Sequence, residues 1–436
     1  MKRTLAAVIA GISLATAACS GGATSPSPAS QAPTASAAES PVASSVGPTA
    51  ECAGGQQAKV TFWHTYNTDG PENKQLLDVV IPAFQKKCPN ITIDPVVMPY
   101  DGLFDQLVTA VSGGGLPDIM RMDIIWTPQF AKVGALVPVD DLPGFNDIKD
   151  QVFPGPLATN VYQGKHYGVP LDTNTQVLIY NKDLVPEAPR TLDDVRKAAE
   201  AVKGQKDKWG LALGGAGPWN VLPWFWTAGG NVTDDNFTKA SGILNSDASV
   251  AALQWLVDMQ NDGLLGPSTL GGKPDSWGGF KGVNYGMLSD GPWFFPIIAK
   301  DMGPQVQGVP MPTGPGGSIS VIGGENLVIF KSSKQAEAAW AFAQYLLSDE
   351  AQIAMAETGQ MPVTRSASQS QVMKDVPYFA PYVTQLETAK PRTVSADWPK
   401  IEKILTNAFE AALRGTSPVK EALDGAAAQI DPLLAP

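Results

Sequence analysis

Along the chain, short unbroken apolar runs alternate with stretches in which apolar residues return every three or four positions. The first pattern predicts strands and the second amphipathic helices. Lys59 to Trp63 (KVTFW) is β-branched and aromatic, a strand, and a polar loop (TYNTDGPEN) follows it. Leu76, Leu77, Val80, Ile81 and Phe84 then mark one face of a helix. Ile91 to Val97 is a second strand. Phe104, Leu107, Val108 and Val111 mark a second helix, closed by Gly113-Gly114-Gly115. Asp118 to Met122 is a third strand, and Phe130 to Val133 falls in a third helix. Strands that alternate with helices imply a parallel sheet and an α/β fold.

The alternation continues past the middle. Strands are predicted over Thr175 to Tyr180, Trp209 to Leu213, Val283 to Leu288 and Asn326 to Phe330. A helix over Leu192 to Val202 opens at Thr191, and Val250, Leu253, Leu256 and Val257 mark another that stops before Gly263. From Lys334 onward the pattern is helical over 334–348, 350–358, 398–414 and 418–430. No repeat at a solenoid period is present.

The N-terminal residues follow a different logic. Lys2 and Arg3 precede an apolar run, Leu5 to Leu14, and then Thr16-Ala17-Ala18. This order predicts a secretory signal peptide over residues 1–18, with an apolar run too short to span a bilayer. Cys19, directly after small residues, resembles the lipobox cysteine of bacterial lipoproteins, whose thiol carries lipid after cleavage. That resemblance implies anchorage on the outer face of the cell membrane. Residues 20–51 are almost entirely Ser, Ala, Pro, Thr and Gly. They bury too little apolar surface to offset ordering entropy, so 19–56 reads as a flexible tether.

About 380 residues remain, enough for two domains. The formal net charge is −11, and loss of Lys2 and Arg3 with the signal makes it two units more negative. An acidic surface argues against nucleic acid and anionic lipid as partners. With Cys19 set aside, Cys52 and Cys88 form an even pair in an oxidising compartment, and a disulfide is expected between them. Two histidines and no cysteine cluster leave no zinc or haem site of the common kinds, so neither metal nor cofactor is expected.

Several segments carry a family resemblance: KVTFWHTYN, GGGLPDIMRMD, YGVPLDTNTQVLIYNKDLV, NYGMLSDGPWFF, GGENLVIFKSSKQAEAAWAFAQYLLSDEAQ and TGQMPVTRS. In this order, over residues 57–436, they resemble the extracellular solute-binding proteins of ABC importers, specifically the sugar-binding, maltose-binding-protein-like cluster. The resemblance implies an α/β, two-lobed periplasmic-binding-protein fold, each lobe a sheet flanked by helices. It implies three hinge crossings, near Asp172 to Thr175, Gly323 to Asn326 and Tyr378 to Tyr382. Lobe 1 would hold 57–173 and 326–377, and lobe 2 would hold 174–325 and 378–436. A monomer would trap its ligand between the lobes by hinge bending and hand it to the transmembrane subunits of a permease, without covalent chemistry.

A sugar offers an apolar C–H face and a rim of hydroxyls, so its site needs aromatic planes and planar polar groups. The resemblance places Trp219, Trp293 and Trp398 at stacking positions in lobe 2, with Trp224 and Trp226 in the core. In lobe 1 it points to His64, Thr65, Tyr66 and Asn67 beyond the first strand, and to Asp123 and Trp126 beyond the third. Asn174 falls at a hinge position that faces the ligand, beside the weaker candidate Asp172. Glu325 falls at the second crossing after Gly323 and Gly324, which let backbone approach closely. Met361 reads as core. Some relatives carry another stacking aromatic where this chain has Met122.

Two competing functions have recognisable requirements. A secreted glycoside hydrolase needs two carboxylates at a set separation, for which Asp123 and Glu325 are the available pair. No G-x-S-x-G elbow is present. A phosphate-bearing solute such as a glycerol phosphate on the same fold needs Arg or Lys in the cleft; the ligand segments hold almost none, with Arg121 and Arg365 nearby and unassigned.

Overall fold

The computed structural model describes residues 52–434. Cys19, the signal segment and most of the tether lie outside the described residues. Among the described residues thirteen strands run in chain order: β1 (Ala58–His64), β2 (Ile91–Val97), β3 (Ile119–Asp123), β4 (Val161–Tyr162), β5 (Lys165–His166), β6 (Val169–Thr175) and β7 (Val177–Asn181), then β8 (Trp209–Ala212), β9 (Tyr285–Asp290), β10 (Val306–Val309), β11 (Ser320–Ile329), β12 (Met361–Pro362) and β13 (Ala389–Lys390).

They form two main sheets. The larger has seven strands, in the order β12-β6-β11-β3-β1-β2, with β13 on the free half of β11. β1 is parallel to β2 and β3, whereas β11 runs antiparallel to β3 and β6. The smaller sheet has the order β10-β7-β9-β8. Helices cover both, as the strand–helix alternation requires.

Burial explains the strands. In β1 the alternate residues Val60, Phe62 and His64 face inward, the period of a strand with one covered face. Every residue of β7 (VLIYN) is buried, as expected where both faces of a sheet are covered. β6 (VPLDTNT) is also buried throughout, although half of it is polar. It leads into β7 through Gln176 alone, so the chain passes from the large sheet to the small one there. The return comes through β11, whose Ile322 pairs with Thr175 and whose Ile329 pairs with Ile119. Ser320 Oγ donates to Gln176 O at 2.8 Å and ties the two passages together. Ala356, Met361, Met373, Phe379 and Tyr382 share one core with Val177 and Ile179.

One helical stripe shifts phase. The helix from Pro71 to Lys87 contains a π turn at Leu76–Val80. Pro82 has no N–H to offer the carbonyl four residues back, and the ladder widens there. Leu77, expected on the buried face, is 41% exposed as a result. Cys52 and Cys88, 36 positions apart in the chain, are bonded, with Cα atoms 5.5 Å apart. Among the described residues no helix is long and apolar enough to cross a membrane.

Candidate functional site

A cleft of about 680 Å³ opens where the passages between the sheets lie side by side. Tyr66, Asn67 and Glu72, from the segment after β1, line one wall with Tyr100, Arg121 and Asp123. Trp219, Asn220, Trp277 and Trp293 line the other, and Asn174 and Gly323-Gly324-Glu325 form the floor. Arg392, Glu402 and Gln360 complete it. Its size is that of an ordinary small-molecule site.

Strand register builds the polar floor. Glu325 lies opposite Asp123 on one side and Asp172 on the other, with a bulge directly after it. Three carboxylates thus sit across three adjacent strands, which is repulsive unless a cation answers them. Arg121, two residues before Asp123 and on the same face of β3, is that cation. Its Nη2 lies 2.7 Å from Glu325 Oε2 and 3.4 Å from Asp172 Oδ2. Nη1 donates to Thr65 Oγ1 at 2.7 Å, and the guanidinium lies 4.3 Å over the Tyr66 ring. Burial lowers the Arg121 pKa, but Glu325 and Asp172 outweigh it, and the guanidinium is held above its ordinary value. Burial also drives the Glu325 carboxyl well above the carboxylate range, against the pull of Arg121. Burial, the largest cause, pushes Glu72 up too.

The two glycines of the floor are steric necessities. A Cβ at Gly323 would stand 2.1 Å from Asn174 Oδ1 and 2.8 Å from the Trp219 ring. Gly324 has φ +134°, and a Cβ there would meet Asp172 O at 2.4 Å.

Three indoles supply the apolar wall. Trp219 and Trp293 stack with ring centroids 6.1 Å apart and planes at 25°. Gln176 Nε2 donates to Trp219 O at 2.7 Å, which fixes Trp219 to the first passage. The Arg392 guanidinium sits 5.5 Å from the Trp219 ring. Trp277 Nε1 donates to Asp290 Oδ2 at 2.5 Å, and Gly291 N donates to Oδ1 at 2.7 Å. Burial pushes Asp290 up to about 6. At the cleft mouth Tyr100 Oη donates to Asp123 Oδ2 at 2.7 Å, while Arg392 Nη2 lies 3.5 Å from Asp123 Oδ1.

Of the twelve residues named as candidates to face a ligand, eight line this one cleft, Thr65, Tyr66, Asn67, Asp123, Asn174, Trp219, Trp293 and Glu325, while Asp172 pairs with Arg121 beside it. His64, Trp126 and Trp398 do not line it, and their placement there is corrected. His64 falls on the inward phase of β1, between the rings of Phe62 and Tyr66 at 5.5 and 5.3 Å. Burial, then Arg121, lowers its pKa to about 4. Trp126 stacks on Tyr100 at 5.3 Å and packs against Phe104. Trp398 is 1% exposed and shares a core with Ile401 and Leu405. Met361 is buried, in keeping with its reading as core. Sequence reasoning missed Glu72, Tyr100, Trp277, Arg392 and Glu402 as lining residues. Arg121 was noticed without a role, and Arg365 lies instead over the Phe153 ring at 5.3 Å. Among the described residues no group of three His, Cys, Asp or Glu side chains is arranged to hold a metal ion.

Comparison with known proteins gives the cleft a context. Residues 80–381 match the family described as bacterial extracellular solute-binding protein. The chain is 28% identical over 318 residues to the arabinooligosaccharide-binding protein of Bacillus subtilis, covering 67% of this chain and 70% of that one. It resembles the solved GacH receptor of Streptomyces glaucescens, described unliganded and in complex with acarbose. The TM-score is 0.78 at 25% identity, covering 87% of this chain and 98% of that one. An ABC transporter solute-binding protein of Thermotoga lettingae, bound with alpha-D-tagatose, gives 0.77 at 25% identity, over 87% and 100% of the two chains.

Proposed function

This chain belongs to the bacterial extracellular solute-binding proteins, and from that premise we propose that it captures a mono- or oligosaccharide outside the membrane for an ABC importer. The single observation that carries the reading is the Trp219–Trp293 pair, stacked across from the planar polar groups of Asn174, Glu325 and Asp123 in one cleft. Indoles take the C–H face of a pyranose, and carboxylates and amides take its hydroxyls. The sugar and oligosaccharide ligands of the relatives support the same reading.

In this proposal lobe 1 comprises 57–173 and 326–377, and lobe 2 comprises 174–325 and 378–436. The protein binds as a monomer, closes, and releases the sugar unaltered to a permease. Cys19 carries the lipid anchor, supported by the small residues before it and the tether after it.

The competing readings fit the charges less well. A phosphate ligand needs a cation of its own, yet Arg121 is engaged by Glu325 and Asp172, and Arg392 by Asp123. Those contacts also occupy Asp123 and Glu325, the pair a glycoside hydrolase would use. Calorimetric titration with a panel of neutral sugars and phosphate esters is the test. Sugar binding without turnover supports the proposal, and binding of phosphate esters alone overturns it.

A further inference from the structure

The charges of the cleft narrow the class of sugar, on the premise that the cleft takes one. Its two guanidinium groups already have carboxylate partners, as described. Glu72 has none. The residue is 3% exposed, Oε2 accepts no hydrogen bond among the described residues, and it lines the cleft. Arg121 acts on it through space, but its ion pairs go to Glu325 and Asp172. Asn174 lines the same cleft, 5% exposed, and its Oδ1 is equally without a partner.

Arg121 Nε and Arg392 Nε are also without a partner among the described residues, but on guanidinium groups whose outer nitrogens already meet carboxylates. Glu72 Oε2 belongs to a carboxylate with no ion pair among them. A sugar hydroxyl gives a carboxylate one neutral hydrogen bond. An ammonium group gives up to three donors and the opposite charge, and charge-assisted bonds are the stronger. A buried carboxylate lacking a cation is held against ionisation by desolvation, and a nearby positive charge relieves that. Burial holds Glu72 above its ordinary value, with Arg121 pulling the other way. A phosphate or a uronic acid would instead meet this oxygen with like charge.

We infer that Glu72 is the counter-ion for a basic nitrogen on the ligand, so that the sugar captured here is an amino sugar with an unacylated ammonium group. Asn174 Oδ1 takes a further N–H or O–H of the same ligand. Sugars that carry an acetamido group in place of the amine keep the shape but lose the charge, and uronic acids reverse it.

The test uses the full chain at pH 7 with matched ligands, by thermal shift and calorimetry. The sets are glucose, glucosamine and glucuronate; galactose, galactosamine and galacturonate; and cellobiose, chitobiose and N,N′-diacetylchitobiose. In at least one set the amine is expected to bind tenfold or more tighter than its hydroxyl parent, with the acetylated or acidic member weaker. Glu72→Gln is expected to remove the amine's advantage, so that amine and hydroxyl parent bind the variant within threefold of one another. Wild-type protein that binds hydroxyl parents as well as amines overturns the inference, as does an amine preference that survives Glu72→Gln. The wild-type comparison stands even if the variant does not fold. Absence of binding to every member of every set refutes the sugar reading itself, whereas neutral sugars bound and amines rejected refute only this inference.

Discussion

At the scale of single residues, the same side chain does opposite work in different places, and mutation separates the two. Trp293 and Trp219 face the cleft, so replacing either with Ala is expected to weaken sugar binding by about 1–3 kcal/mol and leave the melting temperature nearly unchanged. Trp398 fills a core, so Trp398→Ala is expected to cost about 3–5 kcal/mol of stability, read by urea unfolding. Equal affinity in the first two variants would show their indoles to be bystanders. His64 and Asp290 are predicted to act on stability with opposite sign. The folded pKa of His64 is depressed from 6.5 to about 4. Its contribution is complete above pH 6.5 and lost on acidification toward pH 4, to the order of 3 kcal/mol. The Asp290 value is raised from 3.8 to about 6. Its contribution is complete below pH 4 and lost as pH rises toward 6. Relative to the parent, His64→Phe should lose less stability between pH 6.5 and 4, and Asp290→Asn less between pH 4 and 6. Denaturation curves across that range check both slopes, and parallel curves for parent and variants would refute the assignment.

At the scale of elements, β11 holds the site together. It brings Glu325 beside Asp123 and Asp172, and its Gly323 makes room for Asn174 and Trp219 while Gly324 lies against the Asp172 backbone. Gly324→Ala forces a Cβ onto Asp172 O at a positive φ, and is expected to cost about 1–3 kcal/mol and to weaken ligand binding as the floor shifts. Unfolding and titration of the one variant read both effects; a neutral substitution would show that the strand has room. Legibility from sequence followed the same division. The C-terminal helices, Ala336–Leu346, Asp349–Ala356, Trp398–Leu413 and Val419–Leu434, fall within a few residues of their predicted spans, because local periodicity sets them. β6 reads in the sequence only as a crossing into the strand that starts at Thr175: its Asp172, Thr173 and Asn174 look like a loop, and only tertiary burial makes them a strand. Arg121 was hidden in the same way, since its partners arrive from β11 and β6, far along the chain. Some of the missed placements were legible. His64 continues the inward alternation of Val60 and Phe62, and Trp398 begins the stripe that Ile401 and Leu405 continue. A family match at those positions overrode a period that pointed inward.

At the scale of the whole molecule, two charge pairs join the region of the large sheet to the C-terminal segment. Lys132 Nζ lies 3.0 Å from Asp397 Oδ2 on the surface, and an exposed pair of this kind contributes little. Arg392 and Asp123 meet at 3.5 Å with side chains only 5% and 13% exposed, where screening by solvent is weaker and the contact spans the cleft. Arg392 thus holds the second wall to the first without a ligand, and in the proposed closure a sugar would add its contacts to that bias. Ligand at a hundredfold excess over Kd stabilises the folded state by about 2.7 kcal/mol, which for a chain of this size raises the melting temperature by about 3 °C. If the lobes move, solution X-ray scattering should show the radius of gyration falling when sugar is added to wild-type protein. Arg392→Gln should enlarge the unliganded form while sugar still contracts it. The double variant Trp219→Ala/Trp293→Ala should stay expanded at sugar concentrations that close the wild type. Binding heat with no change in radius in any of these proteins would mean a rigid cleft, and the Arg392–Asp123 contact would then be a local prop for the Trp219 ring, with no part in closure.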